Sequence, residues 1–217
     1  MTQDDLPPHS PGHKDRAEQL KIYEALLRKW QKKINLVSDT TLETLHSRHF
    51  EDSSQILPMI PQKAKTLYDL GSGAGFPGLV VAIERPDLEV HLIDSSSKKT
   101  SYLKTVIRET GLENAYVHTD RIENIVNANN APDIITARAL APLKDIFDLT
   151  IDWADQNLNL RYVLLKGEHA RQEVSDALKT FSFNHFSAPS RTDQSGVILR
   201  IENVRRKTHI SDETADA

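Results

Sequence analysis

Apolar residues recur at steps of three and four early in the chain. Leu20, Tyr23, Leu27, Trp30 and Ile34 form one stripe, which predicts an amphipathic helix beginning near Lys14. Thr40 and Glu43 have capping-box spacing and predict a second helix running to about Leu57, where Pro58 and Pro61 break the pattern. From Lys65 the period changes. Short apolar runs with β-branched residues predict strands at 66–70, 89–94, 115–119, 133–138 and 161–166. Helical stretches lie between and after them, at 77–84, 98–110, just after Arg121, 143–155 and 168–180. This β-α alternation is the sequence form of an α/β fold with a doubly wound, mostly parallel sheet. Two last strands, 183–188 and 196–204, flank a polar turn with no helix between them. They predict a hairpin that adds an antiparallel strand. The expected division is a disordered leader at 1–13, an N-terminal helical extension at 14–62, the main domain at 63–205 and a flexible tail at 206–217.

With 217 residues, 38% of them hydrophobic, the chain suffices for one full-sized domain and an appendage. It has no cysteine, which excludes disulfides, cysteine-ligated metal and a cysteine nucleophile. No apolar run is long enough for a membrane span, and the acidic, proline-containing start lacks a secretory apolar core. A cytoplasmic location is therefore expected. The net charge of −4 rules out a globally basic coat. The stretch 14–35 is different, with seven Lys/Arg against three Asp/Glu. Four of those cations, Arg28, Lys29, Lys32 and Lys33, surround Trp30 and make a candidate surface for phosphates, against the plainer reading of a solvated helix face. Trp30 itself lies on the apolar stripe and reads as core. His46 and His49 are spaced H-x-x-H without a third ligand, so they read as surface or interface histidines and no metal is expected.

The segment from Thr66 to Gly78 carries the chemistry. An apolar strand runs into Gly71, Gly73 and Gly75, and a helix opens near Pro77. Glycines there allow a tight turn and a close approach of ligand to backbone, with helix N–H groups beyond. The order G-x-G-x-G, followed by Phe76, departs from the dinucleotide fingerprint, and the chain has no phosphate-binding G-x-x-x-x-G-K-[ST] run. Asp69 precedes the loop, where a carboxylate suits a cationic ligand. Asp94 ends the second strand, placed to accept ribose hydroxyls. Together they suit S-adenosylmethionine better than NAD.

These stretches resemble the glucose-inhibited division protein B family, bacterial methyltransferases of guanine N7 in 16S ribosomal RNA. The resemblance rests on residues 27–36, Arg48-His-Phe-Glu-Asp-Ser53, Asp69-Leu-Gly-Ser-Gly-Ala-Gly-Phe-Pro-Gly78, Leu92-Ile-Asp-Ser95, Arg121-Ile-Glu123, Thr136-Ala-Arg-Ala139 and Leu165-Lys-Gly167. It implies a class I methyltransferase fold and S-adenosylmethionine as cofactor, with S-adenosylhomocysteine as product. It also implies the small ribosomal subunit's RNA as partner. The implied cofactor contacts fall on Gly71, Phe76, Ile122, Glu123 and Arg138. Beyond Glu168 only the pattern agrees, and no substrate role is assigned there.

Transfer from a sulfonium is an in-line displacement, so alignment is the enzyme's main task. Guanine N7 has a lone pair and no proton, so no general base is required. Arg138, a five-donor cation at the fourth strand's end, is the candidate for positioning substrate or cofactor: a phosphate, guanine O6 or the methionine carboxylate. A salt bridge to a neighbouring acid is its plainer role. Arg48 and Lys166 are further candidates for RNA phosphates. The competing functions are methylation of a small molecule or protein, and a non-catalytic RNA- or nucleotide-binding module on the same fold.

Overall fold

The computed structural model describes residues 14–38 and 44–208. The expected leader, the Thr40–Glu43 capping box and the end of the tail lie outside the described residues. Helix α1 spans Arg16–Gln31, and the Asp15 side chain accepts from the Glu18 N–H at 2.8 Å to cap its start. The apolar stripe faces inward as expected: Tyr23 and Leu27 are fully buried, and Trp30 packs on Tyr102 with ring centroids 5.8 Å apart. Beyond the helix, Gln31 Oε1 accepts from the Leu36 and Val37 N–H groups at 2.9 and 3.0 Å, which turns the chain back on itself.

The second helix does not form as one α-helix. A π-helical turn at His46–Glu51 runs into a single α turn, α2, at Asp52–Ser54, and a 3-10 turn follows at Leu57–Met59. The hydroxyls of Ser53 and Ser54 bond the carbonyls of His49 and Phe50, four residues back, which supports an irregular winding.

The sheet follows the predicted alternation to within a residue or two. Its parallel strands are β1 (Thr66–Leu70), β2 (Glu89–Ile93), β3 (Ala115–His118), β4 (Ile134–Arg138) and β5 (Arg161–Lys166). The C-terminal hairpin is longer than expected, with β6 at Phe181–Pro189 and β7 at Val197–Arg206. The order is β3-β2-β1-β4-β5-β7-β6, with β7 antiparallel to both neighbours. The order reverses between β2 and β4, on either side of β1. That reversal opens a crevice at the carboxyl ends of these strands.

Helices α3 (Gly78–Glu84), α4 (Ser97–Thr110), α5 (Ile122–Ala128), α6 (Leu143–Gln156) and α7 (Ala170–Thr180) cover the sheet. One core layer combines Tyr23, Leu27 and Phe50 of the N-terminal segment with Phe76, Leu79 and Tyr102. The N-terminal helical region is thus packed into the main core. The opposite layer is built around Phe147, Trp153, Tyr162 and Phe181. Among the described residues no helix is long and apolar enough to cross a membrane.

Candidate active site

The strand order sets four candidate elements in a row along one edge: Ile122 and Glu123 after β3, Asp94 after β2, the glycine loop after β1, and Arg138 at the end of β4. Gly71, Gly73 and Gly75 all have positive φ, at 64°, 55° and 96°, so the turn uses backbone angles that a side chain disfavours. The Ser72 N–H donates to the Ile93 carbonyl at 3.0 Å and ties the loop to the end of β2.

The three glycines then do different things. A Cβ on Gly73 would meet only the Gly71 carbonyl, at 3.7 Å, so the space above it is open. A Cβ on Gly71 would press the tip of Leu140 at 2.5 Å. A Cβ on Gly75 would meet Leu79 at 2.5 Å and the Tyr23 hydroxyl at 2.6 Å. Gly75 is buried and packs toward α1. Gly78, which carried no assigned role, lets α3 approach the sheet: its Cβ would strike Leu92 and the Asp69 carboxylate.

Asp94 lies where the sequence places it. Its Oδ2 accepts from the Gly73 N–H at 2.9 Å and its Oδ1 from the Ser96 N–H at 2.8 Å. Each oxygen keeps a further acceptor position for a hydroxyl. The open space over Gly73, a half-exposed carboxylate beside it, and half-buried Ile122 next to exposed Glu123 fit a nucleoside-bearing cofactor such as S-adenosylmethionine.

Asp69 is completely buried beneath the loop, with its carboxylate closed to solvent. Its carboxylate accepts from Thr136 Oγ1 at 2.9 Å and from the Gly78 N–H at 3.2 Å, joining β1, β4 and the start of α3. Burial pushes its pKa up to about 6, against the lowering effect of these bonds and of Arg138. Phe76 is also buried. Its ring stacks on Tyr23 and His49 at 5.2 and 5.0 Å and meets Phe50 edge-on. His49, expected as a surface or interface histidine, is buried against Phe76, and burial with Arg138 and Arg48 nearby lowers its pKa to about 4. Among the described residues no group of three or more metal-ligating side chains occurs.

Arg138 stands between the glycine loop and a cleft of about 610 Å³. Its guanidinium lies 5.0 Å over the Phe76 ring, and Nη1 reaches the Arg48 carbonyl at 3.3 Å and Asp52 Oδ2 at 3.4 Å. The salt bridge named as its plainer role is therefore present, but long. The next residue, Ala139, has φ 52°, an uncommon left-handed conformation at the strand's exit.

The cleft is lined on one side by Leu36, Val37 and Arg48 and on another by residues 139–142, with the β6–β7 loop closing it. Lys166 lines it too, but its ammonium is buried, pairing with Glu173 at 2.7 Å and donating to the Ala141 carbonyl. It is a structural ion pair here, not a solvated cation offered to phosphate. Arg28 is held by Glu24 at 2.8 Å, whereas Lys29, Lys32 and Lys33 are exposed. The sequence pattern assigns no role to Asp52 or to the β6–β7 loop. Asp52 lies in the family-like stretch 48–53, whereas the loop carries no motif that points to the cleft.

Known proteins resemble this chain at two levels. Among solved structures, a mutant of MtNAS in complex with S-adenosylmethionine superposes with a TM-score of 0.57 at 15% identity, covering 87% of this chain and 76% of its own. A ribosomal protein L11 methylase from Lactobacillus delbrueckii subsp. bulgaricus gives 0.55 at 17% identity, covering 74% and 79%. Both show the fold. In sequence, ribosomal RNA small subunit methyltransferase G of Parvibaculum lavamentivorans is 40% identical over 196 residues, 88% of this chain and 84% of the relative. The protein of that name in Brucella canis is 38% identical over 198 residues, 90% and 91% of the two chains. The family profile described as rRNA small subunit methyltransferase G matches residues 16–197, and the chain belongs to that family.

Proposed function

We propose that this protein transfers a methyl group from S-adenosylmethionine to N7 of a guanine in the 16S RNA of the small ribosomal subunit. Methylation of ribosomal RNA with this cofactor is the function of the family to which it belongs. The observation that carries the residue-level reading is the row of strand ends with open space over Gly73 and the Asp94 carboxylate 2.9 Å from its N–H.

Bound S-adenosylmethionine supplies a methyl group already activated for displacement. Asp94 holds the cofactor's hydroxyls, Gly71 and Gly73 admit it to the backbone, and Ile122 and Glu123 border the adenine end. Asp69 acts from below by fixing the loop. The acceptor nucleotide enters the cleft beside Arg138, flanked by Leu36, Val37 and Leu140, where a cation faces guanine O6 or a phosphate. N7 needs no deprotonation, so Arg138 serves as a positioning cation and not as a base. Residues 14–62, with Lys29, Lys32, Lys33 and Arg48, form the RNA-facing extension, and residues 63–205 form the catalytic domain. The reaction belongs in the cytoplasm, with the ribosomal subunits.

Calorimetric titration with S-adenosylhomocysteine, with NADH as control, tests the cofactor. Tritiated methyl transfer to small subunits, followed by borohydride and aniline scission, tests N7. Label in a small molecule or a protein, or RNA label resistant to scission, would overturn the assignment. Binding of S-adenosylhomocysteine without turnover would favour the non-catalytic module.

A further inference from the structure

The β6–β7 loop, residues 190–196, crosses the cleft and lands on the segment 48–55. Its contacts converge on Asp52. Thr192 Oγ1 donates to Asp52 Oδ1 at 2.7 Å and Ser190 Oγ at 3.4 Å. Gln55 Nε2 donates to the same Oδ1 at 2.7 Å, while Gln55 Oε1 accepts from the Arg191 N–H at 3.0 Å. The other oxygen of Asp52 faces Arg138 Nη1 at 3.4 Å. At the rim, Arg48 Nη1 reaches the Thr192 carbonyl and Asp193 Oδ2, both at 3.3 Å.

We propose that Asp52 is a positioning residue for methyl transfer: it sets the guanidinium of Arg138 at the mouth of the acceptor cleft, and the β6–β7 loop acts on Arg138 through it. This rests on the reading of the cleft as the acceptor-nucleotide site.

The argument is one of degrees of freedom. Arg138 leaves the end of β4 on a long, rotatable side chain. The Phe76 ring attracts its charge over a broad face but does not fix its rotation. A carboxylate gives direction as well as charge. Asp52 faces Arg138 with the oxygen that the loop does not use, so its orientation is set by Thr192, Ser190 and Gln55 before Arg138 meets it. Both of its hydrogen bonds use Nη1, which leaves Nε and Nη2 as donors for an incoming nucleotide. Asp52 and Arg138 are both largely buried, with side chains 14% and 20% exposed, so the pair is poorly screened by water. The loop stands 140 residues from Asp52 in sequence, and its docking places the C-terminal hairpin in the reaction.

The test is a thermodynamic cycle read as kcat/KM for methylation of small subunits at saturating cofactor. Asp52→Asn keeps the side chain's shape and removes its charge; Thr192→Val removes the loop hydroxyl that orients it. Each is expected to lower kcat/KM about tenfold, and Arg138→Ala at least as much. In the Arg138→Ala background, Asp52→Asn is expected to cost less than about twofold, because its route of action is gone. Thr192→Ser should retain wild-type kcat/KM. A merely structural Asp52 would cost the same tenfold in both backgrounds, which overturns the proposal. So does an inert Thr192→Val. If Arg138→Ala itself leaves kcat/KM unchanged, the placing of Arg138 in the acceptor site falls, and this proposal with it. Thermal melts accompany each variant, and Thr192→Val carries the cycle should Asp52→Asn fail to fold.

Discussion

The phenol of Tyr23 donates a 2.7 Å hydrogen bond to the carbonyl of Ala74. One end of that bond is in α1, the other inside the glycine loop. Burial raises the pKa of the phenol well above its ordinary value, so it stays protonated and remains a donor. The Tyr23 ring also stacks on Phe76 at 5.2 Å, so α1 shapes the loop by two contacts. Tyr23→Phe keeps the stacking and removes the bond. It should cost about 1 kcal/mol of stability by urea denaturation and weaken S-adenosylhomocysteine binding about fivefold. Unchanged affinity would mean that the loop holds its shape without α1.

Gly73 and Gly75 separate binding from folding. Gly73→Val places its branches in open space, so the variant should fold with a penalty of about 1–2 kcal/mol for its left-handed backbone, and lose cofactor binding. Gly75→Ala has the same backbone problem and a Cβ directed at Leu79 and Tyr23. It should lower the melting temperature more than Gly73→Val does. Circular-dichroism melts and calorimetry on both variants check this. A binding-competent Gly73→Val would remove that glycine from the ligand's path.

The difference between these glycines marks what sequence could reach. Strand and helix periods gave β1–β5 nearly to the residue because each apolar run is bounded by its own turn signals. The places of Asp94 and Arg138 at strand ends were legible because those ends have fixed positions relative to the loop. Which side of the loop faces a ligand was not legible. Gly73 and Gly75 are equivalent in a G-x-G-x-G string, and only the approach of Tyr23, 51 residues before Ala74, distinguishes them. The same limit applies to Asp69, Phe76 and Lys166, each next to or in the right motif but turned into the core. The link between Asp52 and Thr192 spans 140 residues and leaves no local periodic trace.

Asp69 and His49 should give opposite pH dependences. Asp69 is pushed up to about 6, so the native state binds more protons than the unfolded chain from roughly pH 4 to 6. Its contribution to stability falls as pH rises through that window. His49 is lowered to about 4, so the native state binds fewer protons between about pH 4 and 6.5, and its contribution rises with pH. Each shift is worth about 3 kcal/mol, and over the shared window they largely offset. Asp69→Asn removes one arm. Stability measured against pH should then climb from pH 4 to 6 more steeply than in the wild type. Parallel curves would show that Asp69 titrates as it does in the unfolded chain.

Asp94 bonds the loop backbone and, in the function proposed, also holds the cofactor. Asp94→Ala removes the acceptor for the Gly73 and Ser96 N–H groups. Cofactor affinity should fall by about 1–3 kcal/mol, the range for hydrogen bonds to a charged group. Asp94→Asn retains one carbonyl acceptor and should lose less. Equal dissociation constants for wild type and Asp94→Ala, by calorimetry, would remove Asp94 from the site.

The basic face of α1 should reveal itself in salt dependence. Lys29 and Lys33 border a groove with Trp30, Thr105 and Arg108, so α1 and α4 present cations to the same space. Arg28 is different, because two of its nitrogens already bond Glu24, at 2.9 and 2.8 Å. Only cations that take up phosphate release counterions, and each such contact adds about 0.7–0.9 to the slope of log affinity against log salt. Lys29→Glu with Lys33→Glu should therefore weaken RNA binding and flatten the slope by about 1.4–1.8. Arg28→Ala should leave the slope nearly unchanged, and S-adenosylhomocysteine affinity should be the same in all three proteins. A slope unmoved by the double charge reversal would place the RNA elsewhere and leave the lysines as a solvated helix face.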